Sequence, residues 1–519
     1  MIITWMLLLS LFGQTEAKPA KPAKPAKPDP SVEFFASKNV LRISIDIEPK
    51  EIQALKMADR TYVPCTIRVE GGLTYTKVGI HLKGAAGSYR ALEDRPALSL
   101  NFDKFVDGQK FYGLDKLHLN NSVQDGTYLN ELVCRELSRN SGLPTGRATH
   151  AMVKLNNRDL GLYVLLEGLD RTFLKRNFGS PDGNLYDGGF CQDIDQPKKL
   201  LAGKKGQKDE QAPLKTLVVA CKEPDPAKRL LLLEALVDID AFWTFIALEQ
   251  ITSHWDGYNR NRNNYRIYFD PSKGNKAVFI LAGMDQMFGD PNFDLRGMSC
   301  ILANALLPCS GMYWRYNEAL HKVYHQGFLL SEMNKRIDEV VEKLKPLKDI
   351  KGGGEDMKRR LAERGKVLDK LIGEMPASPP IFGPDKTVSL SGWKPALETG
   401  PSLLLQSSFE DKTCLYIRSS ADSVGCWRKP VALDPGKYRV EVIAKAVNVK
   451  NRNEPNSGVG LRLSSGEKTK YISESTGWEK ITFEFDIAAP KEIVLVLEMR
   501  SLKGEAYFDT SSMKLVKVN

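Results

Sequence analysis

Apolar and polar positions alternate with period two in the runs Leu41-Arg-Ile-Ser-Ile-Asp-Ile and Val63-Pro-Cys-Thr-Ile-Arg-Val, the pattern of half-buried strands. Similar runs at 76–82, 97–102, 116–119, 151–155 and 161–167 extend it. Between them Leu129, Leu132, Val133 and Leu137 recur at helical spacing, and Gly142 with Pro144 stops that helix. The first half thus predicts a mostly antiparallel sheet crossed by one helix. Beyond it the period lengthens. Residues 230–249 are apolar on every side, as a buried helix requires. Amphipathic helices are predicted over about 331–346 and 355–373, with Gly352-Gly353-Gly354 as a hinge between them. Met375-Pro-Ala-Ser-Pro-Pro then breaks regular structure and sets a linker at 376–395. From 396 to 519 short strands return about every ten residues, the spacing of a β-sandwich. Val440, Val442 and Ala444, with Phe483, Phe485 and Ile487, supply a core of its own, so the Pro-rich break is expected to carry few interdomain contacts. The fold class is α+β, followed by an all-β, jelly-roll-like domain.

A chain of 519 residues exceeds a single core, in agreement with this division. Residues 2–13 form a short apolar stretch before Ala17, which predicts a signal peptide over 1–17 and a secreted, periplasmic or cell-surface protein. Residues 18–38 form a Lys-Pro-Ala-rich linker, a stiff extended spacer. No later apolar run approaches the roughly 20 residues of a membrane helix, so no integral membrane segment is expected after cleavage. The net charge of +10 includes Lys18, Lys21, Lys24 and Lys27 of that tract. The remaining basic residues are scattered among acids with no basic helix bearing aromatics, which argues against a nucleic-acid partner. The eight cysteines are an even number, as in an oxidising compartment, and none forms a Cys-x-x-Cys pair that would bind structural zinc. Cys300 with Cys309 and Cys414 with Cys426 are spaced to close short loops; buried free thiols are the alternative.

The least ordinary segment runs from His254 to Tyr268, His-Trp-Asp-Gly-Tyr-Asn-Arg-Asn-Arg-Asn-Asn-Tyr-Arg-Ile-Tyr, and leads into a strand that pairs with 277–281. Asp256 and Asn261 lie five apart on the loop, and Asp285 follows the second strand. A hairpin would bring them together. Phosphoryl transfer needs such groups: one carboxylate to orient the attacking hydroxyl, and an amide with a second carboxylate to hold a hard cation over the phosphates. The same spacing also suits an Asn-rich turn capped by its own side chains. No His-Glu-x-x-His, Gly-x-Ser-x-Gly or Gly-x-x-x-x-Gly-Lys-Ser/Thr motif is present. Asp193-Ile-Asp195 reads as a solvated turn.

Five ordered motifs over about 40–345 resemble the spore coat protein H (CotH-like) kinase family, a divergent branch of the protein-kinase-like fold. They are Val78-Gly-Ile-His-Leu-Lys-Gly-Ala-Ala-Gly, Pro96–Asp103, Tyr112–Asn121, Leu160-Gly-Leu-Tyr-Val-Leu-Leu-Glu, and Trp255–Tyr268 with Met284–Phe288. The resemblance implies an atypical kinase domain over 39–375 that uses ATP and Mg²⁺ or Mn²⁺ and phosphorylates Ser or Thr of an extracytoplasmic protein. By the same resemblance Asp256 orients the substrate hydroxyl, and Asn261 (alternatively Asn264) and Asp285 hold metal. Lys83 contacts phosphate, with Arg95 its rival, and Glu167 either pairs with that cation or ends a strand. Gly283 stands where the family often has an aspartate, and Ala85 and Ala86 where polar residues are common. A catalytically inactive cell-surface or glycan-binding scaffold is therefore the alternative. The C-terminal domain resembles jelly-roll carbohydrate-binding modules, which implies a surface glycan partner. Trp427, Trp478 and Tyr416 are the candidates to stack on a sugar, with a buried core position the alternative for Trp478, and Asp509 is a candidate Ca²⁺ ligand without its usual acidic neighbour.

Overall fold

The computed structural model describes residues 29–203, 211–347, 351–454, 456–464 and 471–518, so the expected signal peptide and residues 18–28 of the Lys-Pro-Ala-rich linker lie outside the described residues. Pro30–Ala36 of that linker form a helix rather than an extended spacer, with Phe34 and Phe35 buried in the barrel core. Seven strands, β1 (Leu41–Asp46), β2 (Val63–Val69), β3 (Thr74–Lys83), β4 (Ala97–Asn101), β5 (Lys116–Asn120), β6 (Ala148–Leu155) and β7 (Arg158–Glu167), close into a barrel in the order β1-β2-β3-β4-β5-β7-β6. The sequence pattern predicts a mostly antiparallel sheet and is silent on its closure. Closure comes from the parallel pairing of β1 with β6, Leu41 opposite Ala151 through Ile45 opposite Leu155. That contact spans more than 100 residues, and no local pattern announces it. It leaves no exposed sheet edge and surrounds a core that includes Ile45, Ile67, Ile80, Leu98, Leu117 and Leu165. Alternate positions of β3, β4 and β5 face outward, and there His81, Ser99 and His118 stand side by side in register.

The predicted crossing helix is α1 (Asn130–Asn140), whose Leu132, Val133 and Leu137 are buried. They join the core of a second, helical lobe built around α2 (Ile239–Ile251), which is buried along nearly its whole length. The single buried helix predicted over 230–249 is instead broken at Val237, whose backbone is extended, and Leu231 and Leu232 before the break are exposed. Beside α2 lies a four-stranded sheet in the order β11-β10-β8-β9, made of β8 (Leu185–Asp187), β9 (Leu200–Ala202), β10 (Tyr265–Asp270) and β11 (Lys276–Leu281). Further helices, among them α3 (Met312–Lys322), α4 (Leu330–Leu344) and α5 (Lys351–Leu368), pack around this core. The glycines expected to form a hinge lie inside α5. They serve close packing: a Cβ on Gly353 would meet the Thr127 backbone at 3.0 Å, and one on Gly354 would meet Val341 at 2.7 Å. No helix among the described residues is long and apolar enough to cross a membrane.

The C-terminal domain is a sandwich of a seven-stranded and a four-stranded sheet around its own core. Trp427 is buried in that core and therefore cannot stack on an external sugar, whereas Trp478 is half-buried at the surface. Asp509 caps the turn after its strand and pairs with Lys412 at 2.8 Å, so its carboxylate is already engaged. The boundary is not sparse in contacts. Asn317 Nδ2 donates to the carbonyls of Pro376 and Ala377, and Trp314 Nε1 donates to Asp434 at 2.6 Å. All eight cysteines are free thiols. The suggested short-loop disulfides do not form: Cys309 Sγ donates instead to the Ala305 carbonyl and Cys414 Sγ to that of Lys412.

Candidate active site

The loop after α2 is tied back to the helix by Glu249. This buried carboxyl accepts the Tyr258 N–H at 2.7 Å and the Asn259 N–H at 2.9 Å. Burial pushes it up to about 8. Gly257 makes the approach feasible, since a Cβ there would lie 2.6 Å from Glu249 Oε1. On the far side the Tyr258 hydroxyl donates to Asp193 at 2.8 Å, and the same carboxylate accepts the Ile301 N–H at 2.9 Å. Asp193 is thus an anchor for the loop rather than a solvated turn residue.

Within the loop, three asparagines converge on half-buried Asp256. Asn261 Nδ2 donates to its carboxylate, as do Asn263 Nδ2 at 3.1 Å and Asn264 Nδ2 at 2.8 Å. The Asn-rich segment does cap itself, but around a carboxylate. Each amide that donates N–H keeps its oxygen, the atom a hard cation takes. Asn264 then leads into β10, where Tyr265 pairs with Leu281 of β11, and its carbonyl accepts the Ala282 N–H at 3.0 Å. The hairpin expected from the sequence thereby seats the loop against the strand end that leads to Asp285. Gly283 has φ +61°, and a Cβ there would run into Asn264 Oδ1. The side chain of Asn264 fills the space an aspartate at 283 would need.

Asp285 has its backbone carbonyl fixed by Asn130 Nδ2 of α1 at 2.9 Å. Burial, reinforced by the nearby Glu131, pushes its carboxyl up to about 7, against the opposing pull of Lys83. Lys83, half-buried at the end of β3, has its amine lowered by burial while Glu131 and Asp285 act in the other direction. Glu131 is a site residue that the sequence reading missed. It is 2 % exposed, pairs with Arg135 at 2.8 Å and accepts the Met284 N–H at 3.1 Å. Its one sequence signal is an i, i+4 acid–base pair set within an apolar helix stripe.

Geometry decides between the alternatives left open for Glu167 and for the phosphate-contacting cation: Glu167 ends β7, as one of its two readings had it. Glu167 does not pair with Lys83. Its carboxylate accepts the Arg147 N–H at 2.9 Å, Arg147 Nη2 at 3.0 Å and Arg176 Nη2 at 2.7 Å. Lys83 faces outward in a row through Ala97, Asn120 and Val164, whereas Glu167 follows the inward-facing Leu165 on β7. Arg95, the rival cation, donates to Tyr128 Oη at 3.0 Å and to the Leu162 carbonyl, with its guanidinium over Tyr163.

Asp285 also lines a cavity of about 760 Å³ together with Asp125, Asn130, Trp255, Phe293 and Arg360. Asp256, Asn261, Asn264 and Lys83 do not line it; Trp255 brings the Asp256 loop to its rim. The six predicted residues therefore fall into three groups: the Asp256–Asn261–Asn264 cluster, the Lys83–Asp285 pair beside Glu131, and the separate Glu167. The first two meet where Asn264 touches the 282–283 backbone. For a divalent cation, the donors beside Asp285 fit. Its carboxyl is desolvated, and the neighbouring Asn130 Oδ1 is buried without a partner. No group of three His, Cys, Asp or Glu gathers among the described residues, so a cation held here would rely on amide and phosphate oxygens, as Mg²⁺ commonly does.

The family model described as CotH kinase protein matches residues 80–351, just over half of the 519-residue chain, and the chain belongs to that family. Inner spore coat protein H of Bacillus subtilis is 22 % identical over 327 residues, which cover 58 % of this chain and 85 % of the relative. Invasin CotH3 of Rhizopus delemar is 26 % identical over 189 residues, 33 % of this chain and 31 % of the relative; the chain spans about a third of the invasin's length. Among solved structures, the Helicobacter pylori proinflammatory kinase CtkA aligns over 52 % of this chain and 90 % of its own with a TM-score of 0.29 and 12 % identity. TmCBM61 in complex with β-1,4-galactotriose aligns over 25 % of this chain and 90 % of its own, with a TM-score of 0.18 and 14 % identity.

Proposed function

We propose that this chain is an exported atypical protein kinase that transfers the γ-phosphoryl group of ATP to Ser or Thr hydroxyls of extracytoplasmic proteins. The observation that carries the reading is that one hairpin links two carboxylates set in unlike surroundings. Asp256 is held by three amides, and Asp285 is desolvated beside Lys83 and Glu131. Environments that set two acids apart in this way suit two different roles. Asp256 takes the proton of the attacking hydroxyl as its oxygen bonds to the γ-phosphorus and the bond to the β,γ-bridging oxygen breaks, releasing ADP. Lys83 places its ammonium against phosphate oxygens, and Glu131 orients it, the role first expected of Glu167. Asp285, with the amide oxygens of Asn261 or Asn264, would hold Mg²⁺ or Mn²⁺, which supplies charge neutralisation over the phosphates.

The sandwich would bring the kinase to a surface glycan. Trp478, Phe409, Tyr416 and Tyr507 form one aromatic group on it, with Phe409 stacked on Tyr507 at 4.0 Å. One observation favours the rival reading, an inactive scaffold: the single carboxylate after β11, with Gly283 where a second would stand. Incubation of the purified chain with ATP, with and without Mg²⁺ or Mn²⁺, separates the two readings. Metal-dependent ADP release with phosphate on Ser or Thr supports the kinase; its absence with retained glycan binding supports the scaffold.

A further inference from the structure

The segment 286–299 follows Asp285 without regular secondary structure, and its position depends on what grips it. One grip comes from the Asp256 loop. Arg260 donates to the Asp294 carbonyl at 2.9 Å and to its carboxylate at 3.2 Å, and Asn259 Nδ2 donates to the Gly297 carbonyl at 2.8 Å. Arg260 is the residue immediately before Asn261. Asp294 in turn accepts the N–H groups of Arg296 and Gly297 at 2.9 and 2.7 Å.

The other grip comes from α3 and from the sandwich. Arg296 lies over the Tyr313 ring, 4.8 Å from its centroid, and donates to Asn317 Oδ1 and to Glu492 Oε1 of the sandwich, the latter at 2.8 Å. The Tyr313 hydroxyl donates to the other Glu492 oxygen at 3.2 Å. A passive tether would not need such contacts. A short series of polar contacts therefore runs from Glu492 through Arg296, Asp294 and Arg260 to the residue beside Asn261.

We infer that the sandwich is a working part of the kinase domain: Glu492 is a positioning residue that, through Arg296, holds the 286–299 loop in register with the Asn261 cluster. Its effect on catalysis rests on the kinase reading; its effect on the loop does not. Asn261 donates to Asp256, the group that takes the proton of the acceptor hydroxyl, so the consequence is read on the protein acceptor rather than on the nucleotide. The test uses the full chain and Glu492→Gln, Tyr313→Phe and Arg296→Gln variants, with Lys491→Gln as a control that changes charge next door without breaking a contact. Hydrogen exchange of the Arg296 and Gly297 amides should quicken about two- to fivefold in the three variants, the change expected for loss of a part-exposed ion pair, and should stay unchanged in the control. The KM for a protein acceptor should rise by a similar factor with the KM for ATP unaltered. Unchanged loop exchange in all three variants overturns the inference. Faster exchange with an unaltered acceptor KM overturns the catalytic half. Absence of turnover in the wild-type chain refutes the kinase reading instead, and the exchange measurement still decides the clamp.

Discussion

Asp285 carries a pH signature at the candidate site. Its carboxyl is raised to about 7 by burial and by Glu131, so the folded state binds its proton more tightly than the unfolded chain does. The associated stability is fully present below the ordinary carboxylate value and is lost as pH rises through about 7. Asp285→Asn removes the titration. Between pH 5 and 8 the wild type should therefore lose about 1–3 kcal/mol of stability that this variant keeps, while the variant loses turnover. Thermal unfolding across that range checks this; parallel pH profiles would contradict it. Asp256 works differently, as a group held by amides. Asp256→Asn should lower kcat by about 100-fold or more with the KM for ATP little changed, and equal weakening of ATP binding would mean that the two aspartates have exchanged roles. Asp256, Asn261 and Asp285 were legible because one hairpin carries all three. Glu131 was not, because its relation to Asp285 is made by a helix about 150 residues away in sequence. Of the two readings of Glu167, the strand end holds, since it closes β7, and its partners, Arg147 and Arg176, escaped notice because they lie on separate segments that the barrel end gathers.

The elements themselves were written in period-two and helical patterns, and most strands and the crossing helix appear where those patterns put them. What the patterns lack is the non-local pairing of β1 with β6 that closes the barrel. They also lack the packing that turns a run of glycines into the interior of α5. The β10–β11 mouth shows how one element limits another. There Gly283 adopts positive φ, and Asn264 fills the adjoining space. Gly283→Asp, which restores a family-type acid, should destabilise the protein by about 1–3 kcal/mol through strain and overlap, without tightening Mn²⁺ binding. Calorimetric titration with unfolding curves tests both parts; a stable variant with tighter metal binding would show that Asn264 yields easily.

Viewed entire, the chain is a barrel, a helical lobe and a sandwich, each with a core recognisable from sequence. Composition suggested a Pro-rich tether; contacts through Trp314, Asn317 and Arg296 make it a joint. Such contacts escape sequence reading because single polar residues on unrelated surfaces carry no periodic signal. The kinase reading stands or falls on transfer itself: γ-labelled ATP incubated with the purified full chain, Mg²⁺ or Mn²⁺ and a mixture of extracytoplasmic proteins, beside the Asp256→Asn and Asp285→Asn variants. Metal-dependent label on Ser or Thr from the wild type, and from neither variant, is the expected result. Label that appears equally with both variants, or none from a folded wild type that still binds glycan, would contradict it.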